Sequence, residues 1–164
     1  MKWKASKNKN LVKHHAKYPN DIYAPAWKTL EFLTFGSIYT IFYSIKDEKV
    51  KFRIAQYYGF NSLKTFTNFF QTIIFIRKIC AHSDLLYDSN TPLEISTTSF
   101  FKFNNNNKHS LDAAIKVILH ILGTISISRK MIIDKEISEL FNSFENNELT
   151  MRIITEKIAY FTKS

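Results

Sequence analysis

The 164-residue chain contains few of the residues that mark several large classes of protein. Its one cysteine excludes a disulfide framework and a zinc site built from several cysteines. Three glycines and three prolines are too few for the many tight turns of an all-β fold. No run of about 18 apolar residues occurs, so the sequence predicts no membrane-spanning helix and no membrane partner.

Acidic residues are missing from the first 18 positions, which contain six of the lysines. The net charge of the whole chain is +9, so only +3 remains for the rest. This excess predicts a polyanionic partner, either nucleic acid or an anionic surface. We expect a basic N-terminal arm over residues 1–20, followed by a single helical domain over residues 21–164. The arm is either solvated or touches RNA phosphates through Lys13 and Lys17.

The same N-terminal stretch has no arginine, and no apolar segment of signal-peptide type follows it. It therefore resembles neither a mitochondrial presequence nor a secretory signal peptide. From this pattern we expect a cytoplasmic protein.

Apolar residues further along the chain recur at spacings of three and four, which is typical of amphipathic helices. Residues 84–108, which include four consecutive asparagines, are predicted to form a long, partly Asn-rich loop. The sequence thus predicts an all-α bundle of about five to six helices. The predicted helices cover residues 25–46, 48–58, 62–82, 110–127, 128–144 and 148–161.

Arg77 and His82 are the residues whose pattern points most directly to chemistry. Arg77 continues the apolar face of its predicted helix, where a cation must be desolvated and paired or must face a cleft. His82 follows five residues later, a spacing that rotates its side chain by about 140° on an ideal helix. The two side chains converge on one atom only if the helix is ending at His82, or if two copies of the segment meet.

These two residue types suit the metal-free cleavage of RNA. A neutral histidine, with an ordinary pKa of about 6.5, accepts the proton of a 2′-hydroxyl or protonates the leaving oxygen. An arginine keeps its charge and binds the phosphoryl oxygens as negative charge builds on them. The structural alternative is an arginine held in an ion pair and a solvated histidine.

A series of short motifs spans residues 11–87, and the most specific of them is Arg77-Lys78-Ile79-Cys80-Ala81-His82. The others are Lys13-His14-His15 with Tyr18, Pro25-Ala26-Trp27 with Glu31, Thr34-Phe35-Gly36-Ser37, Ile54-Ala55 and Tyr57-Tyr58-Gly59. In this order they resemble the Abi-like family of bacterial abortive-infection proteins, of the AbiD/AbiF type. The family signature has asparagine at the place of Lys78.

The resemblance implies a HEPN-type helical bundle. Ribonucleases of that superfamily share an arginine and a histidine separated by about four to six residues. Their active sites are typically composite, with one such motif from each protomer of a dimer. By this resemblance Arg77 stabilises the transition state, His82 acts as general base or acid, and the protein forms a homodimer. Lys78 then adds a cation for RNA binding near the scissile phosphate.

Other chemistry-bearing residues have simpler interpretations. Asp84 either orients Arg77 or His82 in a supporting role or caps the turn after the helix. Cys80 is explained by packing in an apolar helix, and the adjacent His14 and His15 by a structural or surface role. His120 is expected to be hydrogen-bonded or to face solvent. No spacing typical of a metal site or a phosphate-binding loop occurs, so no metal and no cofactor is predicted.

Two further functions are compatible with the same sequence. In one, the protein is a helical module of a defence or toxin–antitoxin system that binds RNA or a protein without cleaving anything. In the other, the basic arm meets an acidic protein or a membrane surface. The three hypotheses differ in whether RNA is bound and in whether His82 is needed.

Overall fold

The structure is a computed structural model that describes residues 9–30 and 33–161. Within these ranges all regular structure is helical and no strand occurs, which confirms the predicted all-α fold. The helices are α1 (Lys9–Lys17), α2 (Ala26–Leu30), α3 (Phe35–Ser44), α4 (Glu48–Tyr57), α5 (Leu63–His82), α6 (Leu111–Ile125), α7 (Ile127–Asn142) and α8 (Glu148–Ile153). Six of these have nine residues or more, in agreement with the predicted number. None of the described helices has the length and apolarity needed to cross a membrane.

Two compact units make up the chain, residues 1–46 with α1 to α3 and residues 47–164 with α4 to α8. In the first unit, α1 buries Leu11 and His14. The ring nitrogen Nε2 of His14 lies 3.1 Å from Oδ2 of Asp21, so the segment that follows α1 is fastened to the helix. The predicted boundary between an arm and a domain at residue 20 stays a prediction, and residues 1–8 of that arm lie outside the described residues.

The single helix predicted over residues 25–46 is wrong, because α2 ends at Leu30 and α3 begins at Phe35. Thr34 has an extended backbone (φ −68°, ψ 155°), and its hydroxyl accepts a hydrogen bond from the N–H of Ser37 at 3.1 Å. This is the geometry of an N-cap, which begins a new helix. Apolar periodicity missed the break because it reports which face is apolar and not the backbone dihedrals at one residue.

Helix starts in the second unit follow from capping side chains. Ser62 begins α5, Ser110 begins α6 and Asn147 begins α8, and each side chain accepts the N–H three residues later. Gly59, with a φ of 79°, lies in the turn after α4. The three caps confirm the predicted starts of α5, α6 and α8, since the side chains of Ser and Asn accept the otherwise unpaired N–H groups of a first turn. Glycine is favoured after a helix because it adopts a positive φ without steric cost.

An aromatic core lies where α5 packs against α4 and α6. The rings of Phe60 and Phe69 meet edge to face with centroids 5.1 Å apart, and Phe60 meets Phe66 in the same way at 5.3 Å. All three side chains are at most 1% exposed. Burial of such large rings dominates the stability of a core of this size.

The predicted long loop is present as residues 83–110, but it is anchored rather than loose. Ile95 is fully buried, and its N–H donates to the carbonyl of Lys108 at 3.0 Å. Asn104, in the asparagine run, donates from Nδ2 to Oδ2 of Asp112 at 3.1 Å and to the carbonyl of Ala159 at 3.2 Å. The asparagine run therefore joins the loop to α6 and to the C-terminal segment.

The last helix ends earlier than predicted. After α8 the chain makes a π-helical turn over Ile154–Ile158, and Ala159 then adopts a left-handed conformation with a φ of 59°. The left-handed conformation of Ala159 ends the right-handed helix. The hydroxyl of Tyr160 donates to Oγ of Ser138 at 3.3 Å, so the segment after the turn lies against α7.

Candidate functional site

The C-terminal end of α5 contains the residues that the sequence singles out. The helix is uninterrupted to His82, so Arg77, Lys78 and His82 all belong to it. All three side chains are exposed. Within the described residues none of them has a hydrogen bond or ion pair. Each is therefore available to a ligand.

Arg77 is exposed, so of the two alternatives predicted for it, a desolvated ion pair or a position facing a cleft, the ion pair is wrong. The stripe on which it lies begins in the core, where Phe66 is 1% and Phe70 9% exposed, and passes through the half-buried Ile73. The stripe therefore leaves the core toward the end of the helix. Ile76 and Ile79 remain buried at 7% exposure, so the covered side of α5 shifts around the helix, which spacing along the sequence does not predict.

His82 is the last residue of α5, because Ser83 leaves the helix in a left-handed conformation with φ 57° and ψ 30°. The N–H groups of Ser83 and Asp84 both donate to the carbonyl of Ile79. These bonds close the helix in the manner of a Schellman motif, here with serine where glycine is usual. The predicted end of the helix, at Cys80 or His82, is confirmed.

Arg77 and His82 do not share a face of α5. Because both lie in one continuous helix, their side chains leave it about 140° apart and about 7.5 Å apart along its axis. Lys78, four residues before His82, is the cation on the same face as His82. The sequence analysis paired the histidine with Arg77 and assigned Lys78 to RNA binding, and the spacing of four places Lys78 beside His82.

Asp84 provides no orienting contact for the predicted pair. Its side chain is exposed and makes no hydrogen bond to Arg77 or His82, while its backbone N–H closes the end of α5. The acid that does make a contact in this region is Asp88, whose Oδ1 lies 2.9 Å from Nζ of Lys157. This ion pair connects the segment after α5 to the C-terminal π-helical turn.

A second group of cations lies on α1. Lys9, Lys13 and Lys17 are each four residues apart and exposed, so they form a stripe along one face of the helix. The opposite face is fixed by the buried Leu11 and His14. The part of the predicted basic arm that the structure describes is thus a helix with an ordered row of lysines.

His120 fits its expectation in part, because its imidazole is hydrogen-bonded to the backbone of Tyr58. Its Nε2 is buried and has no hydrogen-bond partner within the described residues, and its ring stacks on Phe100 with centroids 4.0 Å apart. Burial lowers the pKa of His120, and the nearby charge of Lys130 lowers it further, while the backbone of Tyr58 acts in the opposite direction. The residue is therefore part of the aromatic core.

The cysteine and the remaining histidine considered in the sequence analysis do not form a catalytic or metal-binding site in the described residues. Cys80 is exposed rather than packed, although the preceding Ile79 is buried, so the packing explanation is wrong. His14, by contrast, is buried and paired, as a structural role requires. Across the described ranges, no group of three or more His, Cys, Asp or Glu side chains is placed to hold a metal ion.

Comparison with known proteins gives one match. The model of the family described as Abi-like protein matches residues 1–88, which is more than half of the chain. This chain belongs to the Abi-like protein family. No curated protein and no solved structure matches it.

The family match covers α1 to α5 and therefore includes every residue of the candidate site at the end of α5. Residues 89–164, with α6 to α8, lie beyond it. In this Abi-like protein the matched segment and the unmatched one share the aromatic core, since Phe69 of α5 and His120 of α6 are in ring contact.

Proposed function

We propose that this Abi-like protein is a metal-independent endoribonuclease of the AbiD/AbiF type with a HEPN fold. It acts in the cytoplasm in abortive infection, the phage-defence response for which the family is named. Arg77 and His82 form the active site, and two protomers contribute to each composite site. The observation that supports this most directly is the pair of unpartnered, exposed side chains at the end of α5.

The reaction assigned to these residues is an internal transesterification. His82 accepts the proton of the 2′-hydroxyl, the 2′-oxygen attacks phosphorus, and the bond to the 5′-oxygen breaks. The imidazolium of His82 formed in this way returns the proton to the leaving 5′-oxygen. Arg77 binds the non-bridging oxygens, whose negative charge grows in the transition state. The products are a 2′,3′-cyclic phosphate and a 5′-hydroxyl.

The geometry of α5 supports a dimer under this mechanism. One phosphate cannot be reached easily by two side chains that leave the same helix about 140° apart. Two helix ends that face each other across a two-fold axis bring Arg77 of one protomer toward His82 of the other. The exposure of both side chains agrees with such an arrangement.

RNA binding requires cations beyond Arg77, and two groups of residues offer them. Lys78 lies one turn before His82 on the same face of α5. On α1, Lys13 and Lys17 continue a row of exposed lysines that is suited to a phosphate backbone. We assign these three lysines to RNA binding.

The test is a cleavage assay on a labelled RNA in the presence of a chelator. His82→Ala and Arg77→Ala should each lower the rate by about a hundredfold to ten-thousandfold, because each removes one element of catalysis. The matched control is Arg53→Ala, which removes an exposed arginine from α4. Product ends should be a cyclic phosphate and a 5′-hydroxyl. A purified dimer that cleaves RNA equally well as His82→Ala would falsify the assignment.

The row of lysines on α1 also favours a second candidate function. An Abi-like protein that binds a structured RNA without cutting it, within a defence or toxin–antitoxin system, needs those cations but not His82. In that case Lys13→Ala with Lys17→Ala weakens RNA binding in a salt-dependent way, while no cleavage occurs and His82→Ala has no effect.

A further inference from the structure

A groove of about 660 Å³ lies between the N-terminal half of α5 and the segment of residues 93–97. Its wall on α5 is formed by residues from Lys64 to Gln71, and the opposite wall by the loop. All of these residues belong to one compact unit of the chain. The groove is separate from the end of α5 where Arg77 and His82 lie.

The groove is lined mainly by neutral hydrogen-bonding side chains and one cation. Lys64 and Gln71 are exposed and have no partner within the described residues. The acid in the wall, Glu94, is neutralised by Lys108, with Oε1 and Nζ 2.7 Å apart. Hydroxyls and amides beside an unpaired cation offer hydrogen bonds to the phosphate and polar edges of a ligand, while Leu93 adds an apolar surface to the same groove.

The loop wall of this groove is fixed by Asn68. Its Nδ2 donates to the carbonyl of Glu94 at 3.0 Å, and its Oδ1 accepts the N–H of Ser96 at 2.8 Å. Ile95, between them, is fully buried. The wall is therefore formed before any ligand binds, which lowers the entropic cost of binding.

A single stripe of α5 joins the groove to His82. Lys64, Gln71, Lys78 and His82 are separated by seven, seven and four residues, which places them within about 40° of one another around the helix. All four side chains are exposed. From Lys64 to His82 the stripe is about 27 Å long, the length of about eight stacked nucleotides at about 3.4 Å each.

We infer that this groove is a second binding site for the RNA strand, in which Lys64 contacts a phosphate and Gln71 a base or sugar edge. The strand lies along the stripe of α5 and passes Lys78 on its way from His82. The inference rests on the proposed function for its choice of RNA. The groove would then contribute to the affinity for RNA at a distance from the bond that is cleaved.

The test measures the binding of a fluorescent, non-cleavable 2′-O-methyl RNA of 12 nucleotides by anisotropy at low salt. Lys64→Ala combined with Gln71→Ala should weaken binding about tenfold. The slope of log K against log salt should fall by about 0.7, the value for one phosphate contact on a single strand. With cleavable RNA the same variant should raise KM and leave kcat unchanged.

The matched control is Lys49→Ala combined with Gln56→Ala on α4, which removes the same two residue types, also exposed and seven residues apart. Equal binding by wild type and the groove variant, or an equal loss in the control, overturns the inference. Failure of the wild type to bind the probe overturns the groove and the RNA partner together. Groove-dependent binding without cleavage leaves the groove in place and rejects the nuclease.

Discussion

The ring of His120 lies on the ring of Phe100 with an interplanar angle of 13° and centroids 4.0 Å apart. Phe60 meets the same imidazole edge to face at 5.3 Å. The Nε2 atom of His120 is buried and has no hydrogen-bond partner in the described part of the chain. A neutral imidazole suits this position as an aromatic ring, whereas a proton on it adds to the core a charge that only the backbone of Tyr58 favours.

The free energy of unfolding should therefore decrease in acid because of His120. Burial and the charge of Lys130 lower the pKa of His120 in the folded protein. The unfolded chain, in which this histidine has an ordinary pKa of about 6.5, binds the proton more readily than the folded chain. The contribution of neutral His120 to the free energy of unfolding is therefore complete above that pH and is lost as the pH falls toward the pKa of the folded protein. The loss amounts to up to about 1.4 kcal/mol per pH unit, and urea unfolding between about pH 7.5 and 5 measures it.

His120→Phe tests the source of this pH dependence. The variant keeps an aromatic ring on Phe100 and has no proton to bind, so it should gain stability relative to the wild type as the pH falls. Thr124→Ser, four residues further along α6 and without a titratable group, is the control, and its curve should follow the wild-type curve. Parallel curves for wild type and His120→Phe would show that the histidine does not cause the acid loss.

His120 also illustrates the limit of sequence analysis in this protein. Asp112, Lys116, His120 and Thr124 recur every four residues, so the sequence correctly places them on one stripe of α6. Whether a stripe faces solvent depends on what packs on it, and here Phe100 of the long loop covers His120. Nothing in the local spacing predicts that a loop so rich in polar residues contributes aromatic rings to the core.

The candidate site shows the same division between local and non-local information. Capping residues such as Ser62 predict the start of α5, and its end at His82 follows from the spacing of apolar residues. Both signals are local. The exposure of Arg77, in contrast, depends on which side of α5 other elements cover, since Ile79 beyond it is still buried, and this is set by tertiary packing. The sequence therefore predicts which residues lie on each face of α5, but not which of those residues are buried.

The ion pair of Asp112 and Lys116 should be important for stability. Oδ2 of the aspartate lies 2.8 Å from Nζ of the lysine and 3.1 Å from Nδ2 of Asn104, and Asp112 is only 2% exposed. Asp112→Ala removes the carboxylate from both donors, which keep only the carbonyls of Lys102 and Ala159 as acceptors. We expect it to lower the free energy of unfolding by about 3–5 kcal/mol, measured by urea denaturation.

A second ion pair with the same spacing provides the control. Lys135 and Glu139 on α7 are 3.3 Å apart and mostly exposed, so Glu139→Ala should change stability by less than about 0.5 kcal/mol. If Asp112→Ala proved as mild as Glu139→Ala, the buried network would not hold the loop.

Asn68 should stabilise the loop wall of the groove. Its side-chain amide is the hydrogen-bond partner of the carbonyl of Glu94 and of the N–H of Ser96. Asn68→Ala therefore leaves that carbonyl and that N–H without these partners. We expect a loss of about 1–3 kcal/mol and faster hydrogen exchange at the Ser96 amide. Gln71→Ala, one turn along α5, serves for comparison and should leave that amide protected. Unchanged exchange in Asn68→Ala would mean that the loop is held by other contacts.

Complementation between two inactive variants tests the composite site. Arg77→Ala and His82→Ala are co-expressed with different affinity tags, and the heterodimer is purified through both. Because the two side chains leave one helix about 140° apart, a shared site takes Arg77 from one protomer and His82 from the other. The heterodimer retains one such pair, so it should cleave RNA faster than either homodimer. A heterodimer as inactive as its parents would place both residues in a site formed within one protomer.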